Sequence, residues 1–245
     1  MMELDGRGYT VLSPRPSSRC RFATNRHHET WHVLTDEAGA SLLGRLFWAL
    51  GYQRRERTII VIDTRFLVPN PFDADPSSPI AIVNNDLGSL RRAAVADLRA
   101  KIPFSASSDG TVVLQTQGLD VALYDEEAYR RREERAGWRW NTHQQRRWID
   151  RVNGMLVIAA PPPVLRGWGM SMSRPERWPL GDAAYLDWPD RTGEVQVLDD
   201  FEGRVSGALA VRNHLFPGRG HEELSDDERR QVWVAGTSEP TEDPS

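Results

Sequence analysis

Three runs of apolar residues constrain this chain most: Thr58-Ile59-Ile60-Val61-Ile62, Ile80-Ala81-Ile82-Val83 and Met155-Leu156-Val157-Ile158-Ala159. Each is of strand length and continuous rather than alternating, and the first two are rich in β-branched residues, which predicts strands covered on both faces. Such a sheet needs helices on both sides. In residues 38–50, Leu42, Leu43, Leu46, Phe47 and Leu50 recur at three- and four-residue intervals, predicting an amphipathic helix. Thr35-Asp36-Glu37-Ala38 reads as its N-terminal cap and Gly51 as its C-terminal stop. A second helix is expected over residues 87–100, capped by Asn85 or Asp86, with Leu90, Ala94 and Leu98 on one side. The expected fold is α/β: a mixed, largely buried sheet with helices on both faces.

Elsewhere the pattern is weaker. Strands are expected at residues 9–12, 21–24 and 30–34, and strand pairs at 111–115 with 119–123 and at 194–198 with 204–211. Helices are expected over 125–136, over 142–152 with Trp148, Ile149 and Val152 facing in, and over 224–234 starting at Ser225. Residues 166–190, dense in Gly and Pro, read as a long irregular loop pinned by Trp168, Trp178 and Trp188. A length of 245 residues with 39% apolar and 27% charged residues suits one domain over 1–235, and the polar stretch 236–245 reads as a disordered tail. The single cysteine, Cys20, excludes an intramolecular disulfide and a cysteine-based zinc cluster. The first residues form no signal peptide and no stretch reaches about 18 apolar residues, so the protein is expected to be soluble and cytoplasmic, away from membranes.

The basic residues are almost all arginine, with Lys101 the one lysine, a bias that GC-rich coding also produces. A net charge of −4 argues against nucleic-acid binding over the whole surface and confines any such role to a patch. Residues 129–151 form such a patch: eight arginines stand against Glu133, Glu134 and Asp150, giving +5, with Trp138, Trp140 and Trp148 between them. Fork-shaped donors interleaved with stacking surfaces suit single-stranded nucleic acid or a nucleotide, and an acidic protein is a further anionic partner to expect. The candidate binding residues are Arg139, Trp140, Arg146, Arg147 and Trp148. Against this, Glu133 and Glu134 can neutralise Arg130 and arginines one turn away, leaving an ordinary solvated helix.

Two further constellations suggest an enzyme. His28-Glu29-Thr30-Trp31-His32 has the H-E-x-x-H form in which, on a helix, His28 and His32 hold a metal and Glu29 is the general base. Thr30, Trp31 and Val33 favour a strand instead, and the capping signal at Asp36 places the helix after the motif. Asp63 and Asp86 follow two of the buried strands, where polar residues line a crevice if the strands run parallel. Ile62-Asp63-Thr64 resembles the opening of PIN-type nucleases, but Arg65 occupies the usual third position and no helix follows at once, so no catalytic role is carried over. Val195-Gln196-Val197-Leu198-Asp199-Asp200, followed by Gly203 and Gly207, resembles the strand, paired acids and small-residue loop of phosphoribosyltransferases. Gln196 interrupts the apolar strand there, and the expected outcome is a turn with two solvent-facing acids. The leading expectation is a non-catalytic accessory or binding protein for an anionic partner. A metal-dependent hydrolase, or an enzyme built on Asp63 and Asp86, is the alternative. No cofactor or oligomeric state is legible.

Overall fold

The computed structural model describes residues 1–104, 110–135, 147–178, 181–186, 191–220 and 224–237. The three apolar runs become β5 (Thr58–Ile62), β6 (Ile80–Asn84) and β8 (Met155–Ala160), every residue of which is buried. With β1 (Met2–Leu4), β2 (Arg7–Leu12) and β7 (Trp148–Val152) they form a six-stranded sheet in the order β1-β2-β5-β6-β8-β7. The sheet is mixed: β2–β5 and β6–β8 are parallel, while β1–β2, β5–β6 and β7–β8 are antiparallel. Successive side chains point to opposite faces, so each run feeds two cores. Ile60, Ile62, Ile80, Ile82, Leu156 and Ile158 face α1 (Glu37–Gly51) and α5 (Pro162–Met172). Ile59, Val61, Ala81, Val83, Met155 and Val157 face α2 (Arg92–Ala100), which contributes Ala94, Val95 and Leu98. The fold is α/β, with helices on both faces of a buried mixed sheet.

A second sheet has the order β3-β4-β10-β9, from β3 (Phe22–His27), β4 (Thr30–Thr35), β10 (Gly193–Val197) and β9 (Ala183–Tyr185). One face sends Phe22, Val33, Ala184, Val195 and Val197 into the core shared with α1 and α5. Ala23 and Leu34 on the other face meet Phe201 and Val205 of α6 (Phe201–Leu215), and α7 (Asp226–Thr237) packs on α6. Outside the α1–α5 layer lie α3 (Leu119–Tyr124) and α4 (Glu126–Arg135), anchored where Leu119, Ala122 and Tyr129 meet Trp48 and Met170.

Several elements differ from expectation for physical reasons. α2 starts at Arg92, because Asn84 closes a turn by accepting from the Asp86 and Leu87 amides and Gly88 adopts φ +140°, which interrupts a helix. Residues 119–123 are helical because Leu119 and Ala122, three apart, reach one apolar surface, and residues 111–116 form no strand. Residues 148–152 form a strand: Asn153-Gly154, with φ +48° and +77°, makes the two-residue turn that pairs β7 with β8. The expected loop over 166–190 contains most of α5, whose proline-rich start fits the first helical turn. Trp168 on α5 meets Phe47 edge-on at 5.4 Å, and the Trp178 indole donates to the Ser171 carbonyl at 2.8 Å, whereas Trp188 lies outside the described residues. Residues 204–211 belong to α6 rather than a strand. Ser225 and Glu228 form a capping box for α7, which continues through Gly236. Gly51 lies inside α1, and Tyr52 closes that helix. Among the described residues no helix is long and apolar enough to cross a membrane.

The loop before β6 is tied to α6 and α7 through charge. Arg212 donates to the Asp73 carbonyl at 3.0 Å and to Asp75 at 2.8 Å, and Arg229 reaches Asp75 at 2.9 Å. Burial pushes the Asp73 carboxyl up to about 6. The folded protein therefore holds that proton more tightly than the unfolded chain, and stability is gained as pH falls through about 6 toward the ordinary carboxylate value. Asp73→Asn keeps the oxygen that accepts from the Asp75 amide at 2.9 Å. It is expected to be more stable than the parent at neutral pH, with an advantage that shrinks below about pH 6 and is lost as pH nears the ordinary carboxylate value of about 4. Denaturant midpoints that coincide at neutral pH would contradict this.

Candidate functional site

β6 and β8 run parallel and adjacent, and the chain leaves them on opposite faces, β6 toward α2 and β8 toward α5. A crevice beyond the carboxyl ends of two such strands is the usual ligand position in open α/β sheets. The Asn84 amide donates to the Leu50 carbonyl at 3.4 Å, tying this end of the sheet to the end of α1, and the Asn85 amide N–H donates to Ala160 O at 3.2 Å. β7 runs antiparallel to β8, with Trp148 opposite Ala159, which is itself in register with Val83. Arg147 and Trp148 thus enter the sheet at the end where Asn85 and Asp86 leave it. Trp148 is 40% exposed and Arg147 is half-buried. Arg57, whose amide donates to the Leu87 carbonyl at 3.2 Å, belongs to the same end.

Arg166 organises the adjoining corner. It donates to the Gly51 carbonyl at the end of α1 and to the Tyr129 hydroxyl, each at 2.9 Å, and pairs with Glu133. Its guanidinium also lies 4.8 Å from the centre of the Tyr52 ring. Burial raises the Tyr129 hydroxyl well above its ordinary value, so it stays protonated. Glu133 is therefore committed inward rather than neutralising Arg130, which pairs with Glu126 instead. α4 leads from this corner into residues 136–146. Arg139, Trp140 and Arg146 lie there, outside the described residues.

The two enzyme constellations do not assemble as the sequence suggested. Because β5 and β6 are antiparallel, with Ile62 opposite Ile80, Asp63 lies at the far end of the sheet from Asp86 and the two share no crevice. Asp63 is fully buried and accepts from the Arg65 amide and guanidinium at 3.0 Å, so it serves as the anchor of a turn. His28 and Glu29 are the two turn residues of the β3–β4 hairpin, with φ +46° and +68°, between paired His27 and Thr30. Glu29 is held by Arg26 at 2.5 Å. His32 lies within β4 and is buried, with Nε2 4.0 Å from Glu194. Burial lowers its imidazole to about 4, leaving it neutral. The motif is a hairpin rather than a helix. Among the described residues no three His, Cys, Asp or Glu side chains are arranged to hold a metal.

Sequence reasoning missed a second crevice, at the carboxyl ends of parallel β4 and β10. It has a volume of about 300 Å³ and is lined by Glu37, Glu176, Asp182, Asp199 and Arg204. The available signal was the acid pair that follows each strand, Asp36-Glu37 and Asp199-Asp200. Glu37 opens α1 and Gly51 ends it, so this acidic crevice and the corner held by Arg166 sit at opposite ends of a helix about 22 Å long. No protein-family model, curated protein or solved structure matches the chain.

Proposed function

We propose that this is a non-catalytic, soluble and cytoplasmic binding protein that recognises an anionic partner at the carboxyl end of β6 and β8. The observation that carries the reading is that β7 sets Arg147 and Trp148 beside the point where two parallel strands end and their connections diverge. Trp148 offers an aromatic face to solvent, and Arg57 and Arg147 supply fork-shaped donors. A base can stack on an indole while its phosphate is held by a guanidinium, so single-stranded nucleic acid fits this chemistry better than an acidic protein does. The overall charge of −4 limits the contact to a patch and predicts moderate affinity.

The test is fluorescence anisotropy at low salt with a labelled single-stranded oligonucleotide of mixed sequence, and with polyglutamate as the acidic-protein control. The oligonucleotide is expected to bind. Trp148→Ala is expected to weaken it by about 1–3 kcal/mol, the range for loss of one stacked base. Preference for polyglutamate would transfer the site to an acidic protein, and absence of binding to either would refute the proposal.

A further inference from the structure

Four of the ten large apolar side chains exposed among the described residues lie between residues 112 and 124: Val112, Val113, Val121 and Tyr124. Val121 and Tyr124 are 74% and 92% exposed and lie three residues apart on α3, which turns Leu119 and Ala122 inward. An apolar patch of this kind on a charged surface marks a contact site. The adjoining α4 says what covers it. None of its residues is fully buried, and its charge is uneven: Glu126 and Glu127 stand in the first turn, and beyond them Arg130, Arg131, Arg132 and Arg135 outnumber Glu134 and the Arg166-bound Glu133.

We propose that the α3–α4 face binds a second copy of this chain across a two-fold axis, with the two α4 helices antiparallel. A two-fold contact uses the same patch twice, so the patch must complement itself. The polarity of α4 does so: Glu126 and Glu127 of each copy stand opposite Arg131 and Arg132 of the other. Tyr124 then falls opposite Glu134 and Arg135 of the facing helix, where the Arg135 guanidinium can cover its ring. Within one chain, Arg130 pairs with Glu126 at 2.5 Å and Arg131 with Glu127 at 3.4 Å. Exposed pairs one turn apart stabilise a helix only slightly, so these side chains can exchange partners at little cost. Among the described residues Arg132 has no ion-pair partner within one chain, and it gains one in the dimer. This pairing stands whether or not an anion binds beside Trp148.

Sedimentation velocity on the full chain over a concentration series tests the contact. The parent protein is expected to self-associate, more weakly at high salt. Arg131→Glu with Arg132→Glu, and separately Glu126→Arg with Glu127→Arg, are each expected to weaken self-association at least about tenfold, because like charges then face each other. Mixed together, the two variants are expected to form a heterodimer, since each supplies the charge that the other lacks. That mixture also guards against variants that simply fail to fold, as does an unchanged circular dichroism spectrum. A parent protein monomeric at every concentration, or variants that self-associate as the parent does, would overturn the inference.

Discussion

Gly169→Ala is expected to destabilise the protein by about 3 kcal/mol and to lower its melting temperature by roughly 6–12 °C, as overpacking does in a chain of this size. α1 and α5 meet backbone to backbone. A Cβ placed on Gly169 would stand 2.8 Å from the Trp48 amide nitrogen and 2.9 Å from the Gly44 carbonyl oxygen. Neither neighbour is the flexible end of a side chain, so the helices must separate and open the core they share with both sheets. Gly44 is the reciprocal contact, its Cβ falling 2.8 Å from the Ser173 nitrogen and 2.9 Å from the Gly169 carbonyl. One outward shift relieves both clashes, so Gly44→Ala with Gly169→Ala is expected to cost less than the sum of the two. Gly207→Ala, in α6 with nothing within 4 Å of the new Cβ, is the control and is expected to stabilise slightly. Thermal melts of the four variants and the parent check the set; a Gly169→Ala protein that melts with the parent would mean that α1 and α5 are not in backbone contact.

Arg166→Met is expected to cost about 3–5 kcal/mol, the range for removing one partner of a buried ion pair. The side chains of Arg166 and Glu133 are only 12% and 13% exposed. Methionine fills most of the space but leaves the Glu133 carboxylate, the Tyr129 hydroxyl and the Gly51 carbonyl without the donor that satisfied them. Much of the loss comes from the stranded carboxylate, so adding Glu133→Leu to Arg166→Met is expected to restore part of the stability. The readout is the denaturant midpoint, supported by limited proteolysis, because α4 should loosen first once its anchor on α1 and α5 is gone. Equal stability of Arg166→Met and the parent, or a double variant no better than the single one, would show that the corner is not held by this pair.

The parts of the fold legible in the sequence are those whose burial leaves a mark on composition. β5, β6 and β8 are covered on both faces and so admit apolar residues at every position. α1 is signalled by its apolar stripe and by Asp36, which accepts from the Gly39 amide at 2.7 Å. The segments misread are those in which tertiary contact decides. Gly167 and Gly169 lower the helix propensity of α5, but the close approach of α1 requires the second of them, and no local pattern reveals that requirement. In β7, Ile149 and Val152 are spaced as on one helical face, yet in the strand they point into different cores. Asn153-Gly154 was the stronger local signal, and it specifies the hairpin. In the same way, Arg147 and Trp148 were visible as a charged aromatic segment, but their position beside Asn85 and Asp86 depends on strand order. Asp63 failed as a partner of Asp86 for that same reason, because the direction of β5 against β6 carries no sequence signature.

The most direct test of the functional reading is the salt dependence of oligonucleotide binding, compared between the parent protein and Arg147→Ala. Each phosphate contact releases about 0.7 counterions from single-stranded nucleic acid, and that number sets the slope of log K against log salt. A steep negative slope is expected for the parent and one shallower by roughly 0.7 for the variant. Binding that ignores salt, or slopes that are equal in the two proteins, would contradict recognition of an anion at this end of the sheet.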